Sequence, residues 1–283
     1  MNHLFVDNLT VIDFAYLDPI RGLVGESWIA DIVLGGDLDD QGMVFDFSDV
    51  KRTIKRVIDE QVDHCLVIPS QYSGLTRSEH EPDTFRWALT NGTHIVHQSP
   101  QEAVVWLPAE QIDRSAVASL LERELIAALP ENVVSVEVIL REEVIEGAYY
   151  HYAHGLKKHL GNCQRIAHGH RSLIRIDRNG QRAQDLERDW AARWQDIYVG
   201  TEADIAGRNV DESGVKHITF AYESNQGAFA LTLPESQVYL IDTDTTVELI
   251  AAHIADQIKA EFPADTIRVK AYEGVGKGAM ASR

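Results

Sequence analysis

Two stretches of the chain alternate apolar and polar residues as half-buried strands do. LTVIDFAYLDPIRGLVGESWIADIVLGG, residues 9–36, reads as strand, turn, strand. GAYYHYAHGLKKHLGNCQRIAHGHRSLIRID, residues 147–177, repeats that outline, with Gly25 and Gly169 in corresponding turns. Each hairpin is followed by helical spacing, in SDVKRTIKRVIDEQV (48–62) and in AQDLERDWAARWQDI (183–197).

A weak internal repeat extends the parallel. Residues 106–150 and 232–281 both run Leu-Pro, a helix with apolar residues three and four apart, Pro, an alternating strand, then Glu and a Gly-Ala turn. Glu142 precedes Gly147 by five residues, and Glu273 precedes Gly278 by five. The pattern predicts two units of about β-β-α-β-β-α-β, mostly antiparallel, divided near residue 146 into 1–146 and 147–283. The fold class is therefore α+β. No low-complexity segment or long linker separates the units, so they are expected to pack closely.

Composition narrows the class of protein. The chain has 283 residues, 45% hydrophobic and 25% charged, as globular proteins do. It has no apolar run long enough to cross a membrane, and MNHLFVDNLTVIDF lacks the basic start and apolar core of a secretory leader. A cytoplasmic protein with no membrane partner is expected. The net charge of -18 repels phosphate backbones, and no basic run offsets it, so nucleic acid is an improbable partner. Two cysteines, Cys65 and Cys163, are too few for a disulfide framework and are expected to be reduced.

The candidate chemistry lies in the second unit. His168-Gly169-His170 on a strand would present two imidazoles on one face, with Gly169 removing bulk between them. His154 on the neighbouring strand would complete a three-His zinc site that leaves one position for water or substrate. His151 and His159 are spare candidates. Cys163, five residues before His168, is a thiolate base, a metal ligand or a small apolar residue. In the first unit, Asp63 next to His64 suits a proton donor or acceptor near neutrality. Glu142 and Glu273 end equivalent strands, where a carboxylate can accept two parallel hydrogen bonds from a 2-amino-pyrimidinone edge.

In order, GMVFDFSDVK (42–51), Asp63-His64 with Leu66, Ala153-His154-Gly-Leu, Cys163 before His168-Gly-His170, and Thr246-Val-Glu248 resemble the 6-pyruvoyl-tetrahydropterin synthase and 6-carboxy-tetrahydropterin synthase family. The resemblance covers nearly the whole chain, one family unit per half. It implies tandem T-fold units that assemble into barrels. It also implies Zn2+ on His154, His168 and His170, proton handling by Cys163, Asp63 and His64, and a pterin anchored by Glu142, Glu273 or both. The implied reaction is a carbon-oxygen lyase step on 7,8-dihydroneopterin triphosphate. The 6-carboxy type, which would place the chain in queuosine biosynthesis, is the first reading. The 6-pyruvoyl type, another T-fold pterin enzyme, and a non-catalytic zinc- or pterin-binding protein are the alternatives.

The halves have lost different parts. In the first unit, LVGESW puts Val24 and Glu26 where the family has His-Gly-His, with no His near residues 13–17, but Asp46-Phe47 and Asp63-His64 are kept. The second unit keeps the three His and Cys163, but QDIYVGTEADIAG (195–207) stands where the Asp-His pair belongs. One composite site is expected, with metal and thiol from the second unit and Asp63-His64 from the first. Four residues separate Cys163 from His168, between the family's two usual spacings. The insert between residues 178 and 230 exceeds the family's habit and is expected to cover the site or an oligomer interface. Six T-fold units would make a trimer of this chain, and eight a tetramer.

Overall fold

The structure, a computed structural model, describes every residue except 79 and 82. The chain opens with a long antiparallel hairpin, β1 (Asn2–Asp18) and β2 (Gly22–Gly36), closed by a tight turn in which Gly22 takes a φ of 87°. Helix α1 (Phe47–Gln61) follows, and the Asp46 carboxylate caps it by accepting the Ser48 and Asp49 N–H groups. Its apolar spacing buries Val50, Ile54, Val57 and Ile58 against the hairpin residues Ile12, Phe14 and Trp28. β3 (Leu66–Pro69) returns parallel to β1. A meander of β4 (Leu75–Arg77), β5 (Thr84–Ala88) and β6 (His94–Gln98) then leaves the sheet. β7 (Val104–Leu107) rejoins it beside β3, α2 (Arg114–Ala128) packs next to α1, and β8 (Val133–Glu142) closes it beside β2. The order is β7-β3-β1-β2-β8.

The second unit repeats this plan. β9 (Tyr149–His154) and β10 (His168–Arg178) form the hairpin, with the short β11 (Gln181–Arg182) on β10. α3 (Gln184–Arg193) and β12 (Ile197–Thr201) follow, then a meander of β13 (Ile205–Val210), β14 (Lys216–Ser224) and β15 (Gly227–Pro234). β16 (Val238–Ile241), α4 (Val247–Glu261), β17 (Ile267–Tyr272) and β18 (Gly278–Ser282) complete the chain. Thr246 caps α4 through its hydroxyl. The sheet order β16-β12-β9-β10-β17 copies that of the first unit, with β18 added at the edge. The chain is thus α+β, two T-fold units in tandem, as its patterning predicts.

Three expectations change in detail. The insert does not stand alone: β15 pairs with β6, so the two meanders merge into one six-stranded sheet, β13-β14-β15-β6-β5-β4. Its core, with Phe85, Trp87, Ile95, Phe220, Phe229 and Leu231, is shared with Leu66 and Ile68 of β3 and Tyr198 of β12. The Leu-Pro match also joins unlike places. Leu107 ends β7, whereas Leu233-Pro234 ends β15; the true counterpart of Pro234 is Pro100, and each precedes a short 3-10 turn into the next strand.

Gly25 and Gly169 lie within β2 and β10 rather than in turns. They mark the closest approach of the two hairpins. A Cβ on Gly169 would sit 2.3 Å from the Tyr152 carbonyl oxygen and 2.6 Å from Gly25 Cα. A Cβ on Gly25 would run into the same carbonyl. This contact brings β1 and β2 of one unit against β9 and β10 of the other, and it sets the geometry of the site.

Candidate metal and proton-transfer site

Alternation along β10 puts His168 and His170 on one face, and register puts His168 directly across from His154. All three rings are buried, with centroids 4.5 Å (154–168), 5.3 Å (154–170) and 5.7 Å (168–170) apart. One ligand atom from each lies within 4.8 Å of the others. Their outer nitrogens are anchored. His168 Nδ1 donates to the Arg165 carbonyl (2.9 Å) and His154 Nδ1 to the Thr245 carbonyl (3.0 Å). His170 Nδ1 lies 3.2 Å from Asp13 Oδ1. With Nδ1 as donor, the Nε2 of His154 and of His168 carries a lone pair. The Nε2 atoms of His154 and His170 are 3.3 Å apart, and that of His168 is buried with no hydrogen-bond partner. Burial, then the neighbouring imidazoles, holds His154 and His168 far below the ordinary imidazole range, so both rings are neutral. Three converging imidazoles shut away from water form a cradle for a cation. A tetrahedral ion with bonds of about 2.0 Å spaces its donors by roughly 3.3 Å.

Asp13 comes from the first unit, at the point where β1 crosses β10. Only 2% exposed, it accepts the Ser27 hydroxyl at 2.5 Å and the Lys277 ammonium at 2.8 Å. Burial opposes its charge, but His170 and Lys277 outweigh burial and hold it below the usual carboxylate range. Its backbone extends the network: the Asp13 N–H donates to Asp63 Oδ1 (2.9 Å), and its carbonyl accepts the His64 N–H (2.7 Å). Asp13 is absent from the sequence-based candidates. Its one signal was a carboxylate inside the apolar run Val11–Leu17.

Asp63 and His64 follow α1, with His64 in the left-handed region at φ 56°. That backbone turns the ring toward the second unit, 5.1 Å from His168 and 6.4 Å from His170 between centroids. His64 Nδ1 lies 2.6 Å from Asp63 Oδ2, and His64, Cys163 and His168 form a second group of ligand atoms within 4.8 Å. Burial disfavours the imidazolium, but Asp63 and then Cys163 outweigh it and raise His64 to about 10. Cys163 sits on a 3-10 turn in the loop between β9 and β10. Residues from both units therefore meet in one place, within one chain. Glu273 Oε1 is 4.0 Å from His170 Nε2. Glu142, half-exposed, pairs instead with Arg114 and Arg171. His151 binds the Gly25 carbonyl and His159 the Gly161 N–H, so neither joins the cluster.

The model of the 6-pyruvoyl tetrahydropterin synthase family matches residues 15–80 and 143–283. The chain belongs to this family. Among solved structures it resembles a catalytic-residue mutant of the Plasmodium vivax 6-pyruvoyltetrahydropterin synthase, at 20% identity over 51% of this chain and 93% of that one, with a TM-score of 0.43. It also resembles the Plasmodium falciparum 6-pyruvoyl tetrahydropterin synthase, at 15% identity, 50% and 97% coverage, and a TM-score of 0.39. No curated protein matches it. The unmatched stretch 81–142 holds β5 to β8 of the first unit.

The first unit repeats the outline of the three-His cluster without its imidazoles. By register, Tyr16, Val24 and Glu26 occupy the places of His154, His168 and His170. Asp196, with φ 56°, takes the place of His64. The Arg21 guanidinium lies between them, donating to the Tyr16 hydroxyl (2.9 Å) and to both Asp196 carboxylate oxygens (2.9 and 2.5 Å). A protein cation thus fills the second unit's mirror position, and Val24 offers no donor. Burial raises Glu26 to about 7 and pushes His151, 3.8 Å away, down to about 4. Among the described residues no helix is long and apolar enough to cross a membrane.

Proposed function

We propose that the chain is a zinc-dependent pterin synthase acting on 7,8-dihydroneopterin triphosphate, with one composite active site per chain, divided between units 1–146 and 147–283. The observation that carries this reading is the meeting of three buried imidazoles with a Cys–His–Asp group drawn from both units. His154, His168 and His170 would hold the ion, which when bound polarises a substrate oxygen and acidifies the adjoining C–H.

The chain's own groups supply the proton traffic. Cys163 as thiolate takes the carbon-bound proton, and His64, fixed by Asp63, delivers or relays one elsewhere on the ring or side chain. Glu273, beside His170, accepts from the amino and N–H edge of the pterin. The position of Glu142 supports assigning that role to Glu273 alone. A cleft of about 630 Å³ opens next to the Cys163 loop, lined by Arg52, Lys55, Arg56, Asn162 and Arg165 together with Asp59, Glu60 and Glu102; Lys55 and Arg56 are already paired with Asp59 and Glu60. The 6-carboxy product is the first choice and the 6-pyruvoyl product the second. The chain works in the cytoplasm as a homo-oligomer, a trimer or else a tetramer, through the uncovered edges of β8 and β18.

The test is metal analysis of wild type and of Cys163→Ala, each followed by incubation with the triphosphate. Cys163→Ala should keep its zinc and lose turnover by about 10²–10⁴-fold. Retained turnover would remove Cys163 from its role; wild type that binds zinc and pterin without converting it would make the protein a binder.

A further inference from the structure

The two meanders meet at a second cluster of ligand-type side chains. His94 begins β6 and His217 lies near the start of β14. His217 pairs with Pro234, the last residue of β15. His94 lies two residues before Val96, which pairs with Thr232 of the same strand. Both imidazoles therefore gather at one end of β15, with ring centroids 4.3 Å apart. Asp211 reaches them from the turn between β13 and β14. Its Oδ1 is fully used by that turn, accepting the Ser213 N–H (2.9 Å), the Ser213 hydroxyl (2.6 Å) and the Val215 N–H (2.9 Å). Its Oδ2 faces the rings, 3.8 Å from His94 Nδ1 and 3.9 Å from His217 Nδ1.

The protonation pattern follows from the partners. His217 Nδ1 donates to the Val215 carbonyl at 3.1 Å, which leaves the lone pair on Nε2. That Nε2 and His94 Nδ1 are buried without a hydrogen-bond partner among the described residues. The residues are only 1% and 7% exposed. Two buried, unmatched ring nitrogens and a carboxylate with one unused oxygen turned toward the rings belong to three residues whose ligand atoms lie within 4.8 Å of one another. Each unmatched nitrogen is costly in such a place, and one cation satisfies all three atoms. Two nitrogens and one oxygen suit a borderline ion such as zinc, with water in the fourth position. A tetrahedral ion spaces its donors by roughly 3.3 Å, closer than the 3.8 Å between Asp211 Oδ2 and His94 Nδ1, so the side chains would draw in on the ion.

We propose that His94, Asp211 and His217 form a second zinc-type cation site, separate from the three-His cluster, which cross-links the meander of the first unit to that of the second. The site does not depend on the catalytic reading. The experiment is zinc titration by equilibrium dialysis of the full chain carrying His168→Ala/His170→Ala, with and without His94→Ala/His217→Ala, folding being checked by circular dichroism. The first protein should retain about one zinc, and its thermal midpoint should rise with added ZnCl2; the quadruple variant should retain none. Asp211→Asn, which keeps the turn acceptor, should weaken this zinc by about tenfold or more. A folded His168→Ala/His170→Ala protein that binds no zinc, or Asp211→Asn with unaltered affinity, overturns the proposal and leaves the cluster as a buried histidine pair beside Asp211.

Discussion

Glu26 is a buried carboxylic acid at the position that holds His170 in the second unit, and replacing it with Gln isolates the cost of its charge. It is 4% exposed, and its Oε1 accepts only the Ser27 N–H, at 2.9 Å. Burial outweighs that bond and the influence of Arg171 and Arg21, raising the group from 4.5 to about 7. Below pH 4.5 both folded and unfolded chains hold the proton, and the group contributes no pH dependence. Between 4.5 and 7 the unfolded chain has released it and the folded chain has not, so stability falls as pH rises. Above 7 the penalty is complete, on the order of 3 kcal/mol from the difference in pKa. Gln retains the Ser27 bond and cannot ionise. Glu26→Gln should therefore match wild type near pH 4.5 and exceed it at pH 8 by roughly 3 kcal/mol, or about 6–12 °C in Tm. Urea unfolding of both proteins from pH 4.5 to 8 measures the difference directly. A pH-independent difference, or a less stable variant at pH 8, would mean that Arg21 and Arg171 outweigh burial and that Glu26 is ionised throughout.

Asp13→Asn removes the charge behind His170 while preserving its shape, and should weaken zinc at the three-His site by about 10–100-fold in chelator competition. Unchanged affinity would show that His170 needs no carboxylate behind it. Gly169→Ala places a methyl against Tyr152 and Gly25 at the crossing of the hairpins. It should cost about 1–3 kcal/mol in thermal or urea unfolding, and full stability would show that the hairpins can separate there without penalty.

Local periodicity carried much of the fold. The apolar spacing of residues 48–62 is that of α1, that of 183–197 overshoots α3, which ends at Arg193 before Ile197 opens β12, and the alternation in 9–36 and 147–177 is that of the two hairpins. A strand's period of two is likewise sufficient to put His168 and His170 side by side. The repeat announced two units even though its Leu-Pro register joined unlike strands, because a short dipeptide carries no information about which strand it ends. Three things depended on contacts across the chain. Asp13 matters because β1 crosses β10 at Gly25 and Gly169, and Arg21 because its guanidinium meets Asp196 from the other unit. His94 and His217 become neighbours only when β6 and β14 flank the same end of β15. Spacing along a strand fixes which side chains share its face, but which faces meet is decided by the burial of whole hairpins and meanders against one another. That energy is summed over residues far apart in sequence, and only the tertiary structure shows where it brings an acid, a cation or a second imidazole.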